Sequence, residues 1–142
     1  MADALKGAGL SILLQAGGYD RVHYALVLAA GAAAIGRPVV LFVTGRALPA
    51  LLAGEGWHGL GPADDGTAPA ERDALLGARG VATLPELLES VAALGVRIIA
   101  CEMGWRALGV AEPTLRPDLD VECAGIVTLL GATPPGHQLV FV

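Results

Sequence analysis

The chain has 142 residues, 54% of them hydrophobic and only 16% charged, with a formal net charge of −5. That composition argues against intrinsic disorder, and with one lysine, Lys6, against eight arginines there is no basic face to track phosphates, so nucleic acid is not an expected partner. One domain over residues 1–142 is expected; much of the roughly 30% of its surface that folding leaves exposed must be apolar, so a homo-oligomer is expected to cover it.

Leu10 to Gln15 (LSILLQ) is an apolar run ending at Ala16-Gly17-Gly18, which suits a strand buried on both faces of a parallel sheet. Asp20 is placed to cap a helix that runs to Gly36 and is apolar nearly all round, a pattern of burial on several sides. Pro38 to Thr44 (PVVLFVT) reads as a second buried strand, closed by Gly45 and followed by a short helix through Leu48, Leu51 and Leu52. Gly54 to Pro69 is a glycine-rich excursion, and so long a loop is usually functional or mobile. Pro69 opens a short helix expected to stop at Gly77. Thr83 to Glu86 (TLPE) is a capping box, followed by Leu84, Leu87, Leu88, Val91 and Leu94 at helical spacing up to Gly95.

Val96 to Ala100 (VRIIA) is a third strand, and it delivers Cys101. Met103 to Leu108 reads as a helical turn, Pro113 and Pro117 mark a loop, Gly125 to Ala132 is a short helix, and Gln138 to Val142 (QLVFV) is a last strand. The alternation implies an α/β fold of three α/β/α layers around a mainly parallel sheet. In such sheets chemistry sits at the carboxyl ends of the strands, which selects Gly17 and Gly18, Thr44 and Gly45, and the segment after Ala100.

Cys101 stands out by position. A thiol between a β-branched run and a helical turn meets backbone N–H groups and the positive end of a helix, both of which favour a thiolate or a persulfide anion. Glu102 opposes this unless Arg106 or Arg116 turns inward. The plainer reading is a small buried hydrophobe at a strand end. Cys123 either resolves a disulfide with Cys101, if the Cα atoms come within about 7 Å, or simply packs. His23 either faces the site from across the sheet edge or is a hydrogen-bonded structural residue; His58 is expected in solvent. His23, His58 and His137 show no metal-ligand spacing, and no metal or cofactor is implied. Gly17-Gly18 lacks the rest of a phosphate-loop pattern. Trp57 and Trp105 are packing anchors by type, Trp105 being the nearer to Cys101 in sequence. Asp64 and Asp65 lie in a polar loop where solvation is the default.

Two cysteines are too few for a disulfide framework and fit a reducing compartment. The amino terminus is a poor signal peptide, with Asp3 beside Lys6 and a short apolar run. The uncharged, alanine-rich stretch Val22 to Gly36 is 15 residues, whereas a span needs about 20. A cytoplasmic protein outside the membrane is expected.

The Gly-Gly-Tyr-Asp turn, the alanine-rich helix ending AIGRPVVLFVT, the segment ACEMGWRALGV and the closing VECAGIVTLL resemble the DsrE/DsrF-like family of small sulfur-handling proteins, in the branch labelled "peroxiredoxin-like". The resemblance spans Leu10 to Val142. It implies a three-layer fold, trimers or hexamers, and a cysteine that carries sulfane sulfur as a persulfide between donor and acceptor proteins. That role falls on Cys101. The chain departs from the family pattern at TGRALP and at Trp105, both near the expected pocket. Three functions are thus open: a sulfur carrier, an oligomeric binding module for a small anion or nucleotide at the strand ends, and a two-cysteine thiol peroxidase.

Overall fold

The computed structural model describes residues 8–142; the leader reading that rests on Asp3 and Lys6 lies outside them. Among these residues five strands form one sheet: β1 (Leu10–Leu14), β2 (Val39–Val43), β3 (Arg97–Cys101), β4 (Val121–Ala124) and β5 (Gln138–Phe141). Their order is β4-β3-β2-β1-β5 and every pairing is parallel. The helices are α1 (Tyr19–Ala34), α2 (Pro69–Ala78), α3 (Leu84–Ala93), α4 (Glu102–Ala107) and α5 (Ile126–Gly131), with 3-10 segments at Gly45–Leu51 and Gly56–Gly59. The α/β class and the parallel sheet are as expected. None of the described helices is long and apolar enough to cross a membrane.

Register divides the side chains between two unequal faces. Ile12, Leu14, Leu41, Val43, Ile98 and Ala100 lie on one face, in a large core with Val22 and Leu26 of α1 and Leu84, Leu88 and Val91 of α3. Leu13, Phe42, Ile99 and Cys101 lie on the other, which α5 meets through Leu129. Ser11 is buried there and shares a hydrogen bond with Thr133, just after α5. One helix of six residues covers little of a five-stranded sheet. Leu139 and Phe141 of β5 therefore stay exposed on this face, beside Ile126, Val127 and Leu130 of α5. The run QLVFV is a strand over Gln138–Phe141, as expected, and it is mostly exposed. It is an edge strand, and only the α1 side of the sheet is thickly covered.

Four local expectations are corrected. Val121–Ala124 is a strand where a connection was expected: VECA is too short and polar to show a run, and it pairs only at the sheet edge, along β3. Helix α1 starts at Tyr19 with Gly18 as its cap, because the Asp20 carboxylate instead accepts the Asp64 N–H at 2.8 Å. Helix α2 passes through Gly77, and Gly80, at φ +76°, supplies the turn. The excursion after Gly54 is pinned down. Trp57 is buried with its ring 6.4 Å from that of Tyr19, and Gly61 exchanges backbone hydrogen bonds with Gly17 and Tyr19.

Thr83 caps α3 as expected, the Glu86 N–H donating to its Oγ1 at 3.3 Å, while the Glu86 carboxylate accepts from the Thr83 hydroxyl at 3.1 Å. Beside it Asp73 is buried, accepting from the Tyr19 hydroxyl and, at 2.7 Å, from the Leu84 N–H. This carboxylate ties α1 to the start of α3. Burial, and then the hydrogen bond to Asp73, push the Tyr19 phenol well above its ordinary range. A raised phenol contributes stability that is complete below its unfolded value of about 10 and is lost as pH climbs above it. Tyr19→Phe removes one of two donors to a buried carboxylate and is expected to cost about 1–3 kcal/mol in urea unfolding at pH 7. The variant should also lose the part of the alkaline destabilisation due to this phenol. An unchanged midpoint and an unchanged alkaline limb would contradict this account of the junction.

Candidate functional site

The apolar run Ile98–Ala100 buries β3 in mid-sheet, and Cys101 ends it. The chain turns there into α4, with Cys101 as its cap, and the Gly104 N–H donates to Cys101 Sγ at 3.4 Å. The turn is tight because Gly104 sits against the segment after β2. A Cβ on it would lie 2.8 Å from Leu48 Cδ1 and 3.1 Å from the Gly45 nitrogen. Cys101 is 4% exposed, yet it lines a hollow of about 520 Å³ at the carboxyl ends of the strands. Leu13 and Phe42 lie beside it on the sheet, Ile126 and Val127 come from α5, and the exposed Met103 and Phe141 stand at the rim. Gln15 and Thr44 are its polar side chains, and no charged side chain among the described residues lines it.

Thr44 thus shares a hollow with Cys101, whereas the other expected residues sit elsewhere. Gly45, at φ +55°, packs on the Gln15 carbonyl. Gly17 and Gly18 line a separate hollow of about 360 Å³ with Arg46, Pro49 and Gly61. His23 is on the α1 side of the sheet, where its Nε2 lies 2.8 Å from the Ala82 carbonyl oxygen and its ring 5.7 Å from that of Tyr19. Its placement is that of a hydrogen-bonded structural residue, because the phase of α1 turns it toward the segment before α3.

Cys123 is exposed, and its register partner is Ala100, while Cys101 pairs with Ala124. Side chains alternate along a strand, so the two thiols leave opposite faces of the sheet. Cys123 instead lines a hollow of about 300 Å³ with Trp105 and Arg106. Trp105 is buried in the α1-side core, and Arg106 reaches Glu102 at 3.9 Å on the surface. Arg116 does not turn toward Cys101: it holds Asp118 at 2.8 Å, which keeps that carboxyl below its usual range. His58 and Asp64 are exposed, as expected for the excursion. The apolar lining of the Cys101 hollow was not singled out from sequence. Its signal was present in the alternation of β1 and β2, which puts Leu13 and Phe42 on the face of Ile99 and Cys101 once the register is known.

The parallel order, the helices on either face and the cysteine that ends the third strand define a small α/β domain with a DsrE/YchN-like fold. Among solved structures, the ychN protein of E. coli matches with a TM-score of 0.61 at 16% identity, covering 95% of this chain and 99% of that one. MTH1491, a protein of unknown function from Methanobacterium thermoautotrophicum, matches with a TM-score of 0.57 at 14% identity over the same shares. By sequence the chain is 27% identical, over 157 aligned positions, to the uncharacterized protein YrkE of Bacillus subtilis (strain 168), across 93% of this chain and 95% of that one. No family model matches the chain.

Proposed function

We propose that the protein is a cytoplasmic sulfur carrier in which Cys101 receives sulfane sulfur as a persulfide and yields it to an acceptor thiol. The observation that carries this reading is the placement of one sulfur atom. Cys101 Sγ ends a central strand, accepts an amide hydrogen from Gly104 and borders a hollow at the strand ends. An amide donor steadies a sulfur anion, and exchange needs both an anion and access. The sequence resemblance implies the same role.

The two-cysteine peroxidase reading does not fit this arrangement, because the thiols leave opposite faces of the sheet. The binding-module reading has one observation in its favour, the hollow where Arg46 stands beside Gly17 and Gly18. Native alkylation separates it from the carrier. Iodoacetamide at pH 7 is expected to label Cys101 at a rate within about tenfold of an unstructured cysteine, despite its burial. A Cys101 that stays protected while the exposed Cys123 reacts would favour the binding module.

We also propose that a second copy covers the thin face of the sheet. Leu130 of α5 and Leu139 of β5 are exposed there and lie outside the Cys101 hollow, which such a contact leaves open. Exposed apolar side chains on a thinly covered sheet face mark an interface. A trimer or hexamer is the expected assembly.

A further inference from the structure

We infer that the Cys101 hollow selects as sulfur donors organic persulfides whose carbon group is apolar and uncharged, and discriminates against donors that carry carboxylates or sulfur-bound oxyanions. This inference rests on the carrier reading and adds the class of donor. A concave, mostly apolar site of 300–1,000 Å³ with a few convergent polar groups is the usual form of a small-molecule site. At about 520 Å³ the hollow has that form, with Leu13, Phe42, Val127 and Phe141 around the thiol, and Gln15 and Thr44 as its polar side chains. Among the described residues it holds no arginine or histidine to meet the carboxylates of a peptide thiol or the oxygens of thiosulfate. The adjacent cation, Arg106, is directed to Glu102 and to the Cys123 hollow. Glu102 is half-exposed beside Cys101, and the chain carries a net charge of −5, so an approaching anion is repelled as well as unpaired.

The exchange suits such surroundings because it is neutral overall. Cys101 Sγ attacks the outer sulfur of R–S–SH. A bond forms between Sγ and that sulfur as the S–S bond of the donor breaks. The leaving R–S takes the bonding pair and the proton that Cys101 gave up. Cys101 ends as a persulfide and the donor as R–SH, with no outside oxidant or reductant.

Benzyl persulfide, glutathione persulfide and thiosulfate are offered separately, and the gain of one sulfur on the Cys101 peptide is timed by mass spectrometry. Each rate is divided by that of the same donor with free cysteine. Benzyl persulfide is expected to load at least about tenfold faster than either anion, since an unpaired charge is costly in an apolar site. Val127→Lys, at an exposed rim position, should narrow that ratio by adding a cation. Equal or faster loading from the anions overturns the inference and leaves the carrier reading intact. If no donor loads Cys101, the carrier reading fails, and binding still tests the hollow. N-phenyl-1-naphthylamine fluorescence should then rise with the Cys101→Ser variant and fall with benzyl mercaptan but not glutathione. Absence of that displacement overturns the apolar assignment.

Discussion

Gly104→Ala is expected to lower stability and slow sulfur loading together. The added Cβ would meet Leu48 Cδ1 at 2.8 Å, Thr44 Oγ1 at 3.0 Å and the Gly45 nitrogen at 3.1 Å. Leu48 is fully buried, and the Gly45 contact is backbone, so neither can yield freely. Helix α4 must move outward, at a cost of about 1–3 kcal/mol for overpacking. The same movement draws the Gly104 N–H away from Cys101 Sγ, a contact already at 3.4 Å. Gly31→Ala is the control, because a Cβ there meets nothing within 4 Å inside α1. It should gain about 0.5–1 kcal/mol from helix propensity, with loading unchanged. Urea unfolding and timed loading of both variants check the pair. If Gly104→Ala is as stable and as quick to load as the parent, the tight turn has no part in holding the thiol.

The double variant Leu130→Glu/Leu139→Glu is expected to convert an oligomer into monomers. The parent should sediment as a trimer or hexamer at micromolar concentration. Leu130 is 56% and Leu139 48% exposed in the isolated chain, so the monomer fold tolerates the change. In an assembly that covers the α5 face, each carboxylate would be buried without a partner, at about 3–5 kcal/mol. Several such charges outweigh the surplus that holds a typical interface together. A parent that sediments as a monomer, or a double variant that stays assembled, contradicts the proposed interface.

The sheet was largely legible because its central strands are continuous apolar runs closed by glycine, and α3 because of its capping box. Strand β4 was not. At an edge, four residues with a glutamate need no hydrophobic run, and their pairing is a tertiary fact. Cys101 was legible too, since the end of a strand in a parallel sheet is a position the chain order alone predicts. Its surroundings were not. His23 is near Gly18 along the chain, but α1 as a whole packs on the face of the sheet opposite Cys101, and its phase there turns His23 toward Ala82. Trp105 follows Cys101 by four residues, and α4 turns it into the other core. Cys123 falls one register step from the position that would put it on the face of Cys101. Each case depends on phase or register, which local sequence does not contain.

The most direct test loads the wild-type protein with a persulfide donor and maps the added mass of about 32 Da, one sulfur atom, to a peptide. The account predicts that the sulfur resides on Cys101, survives Cys123→Ser, and is absent from Cys101→Ser. Sulfur found on Cys123 alone, or unchanged total loading in Cys101→Ser, would contradict it.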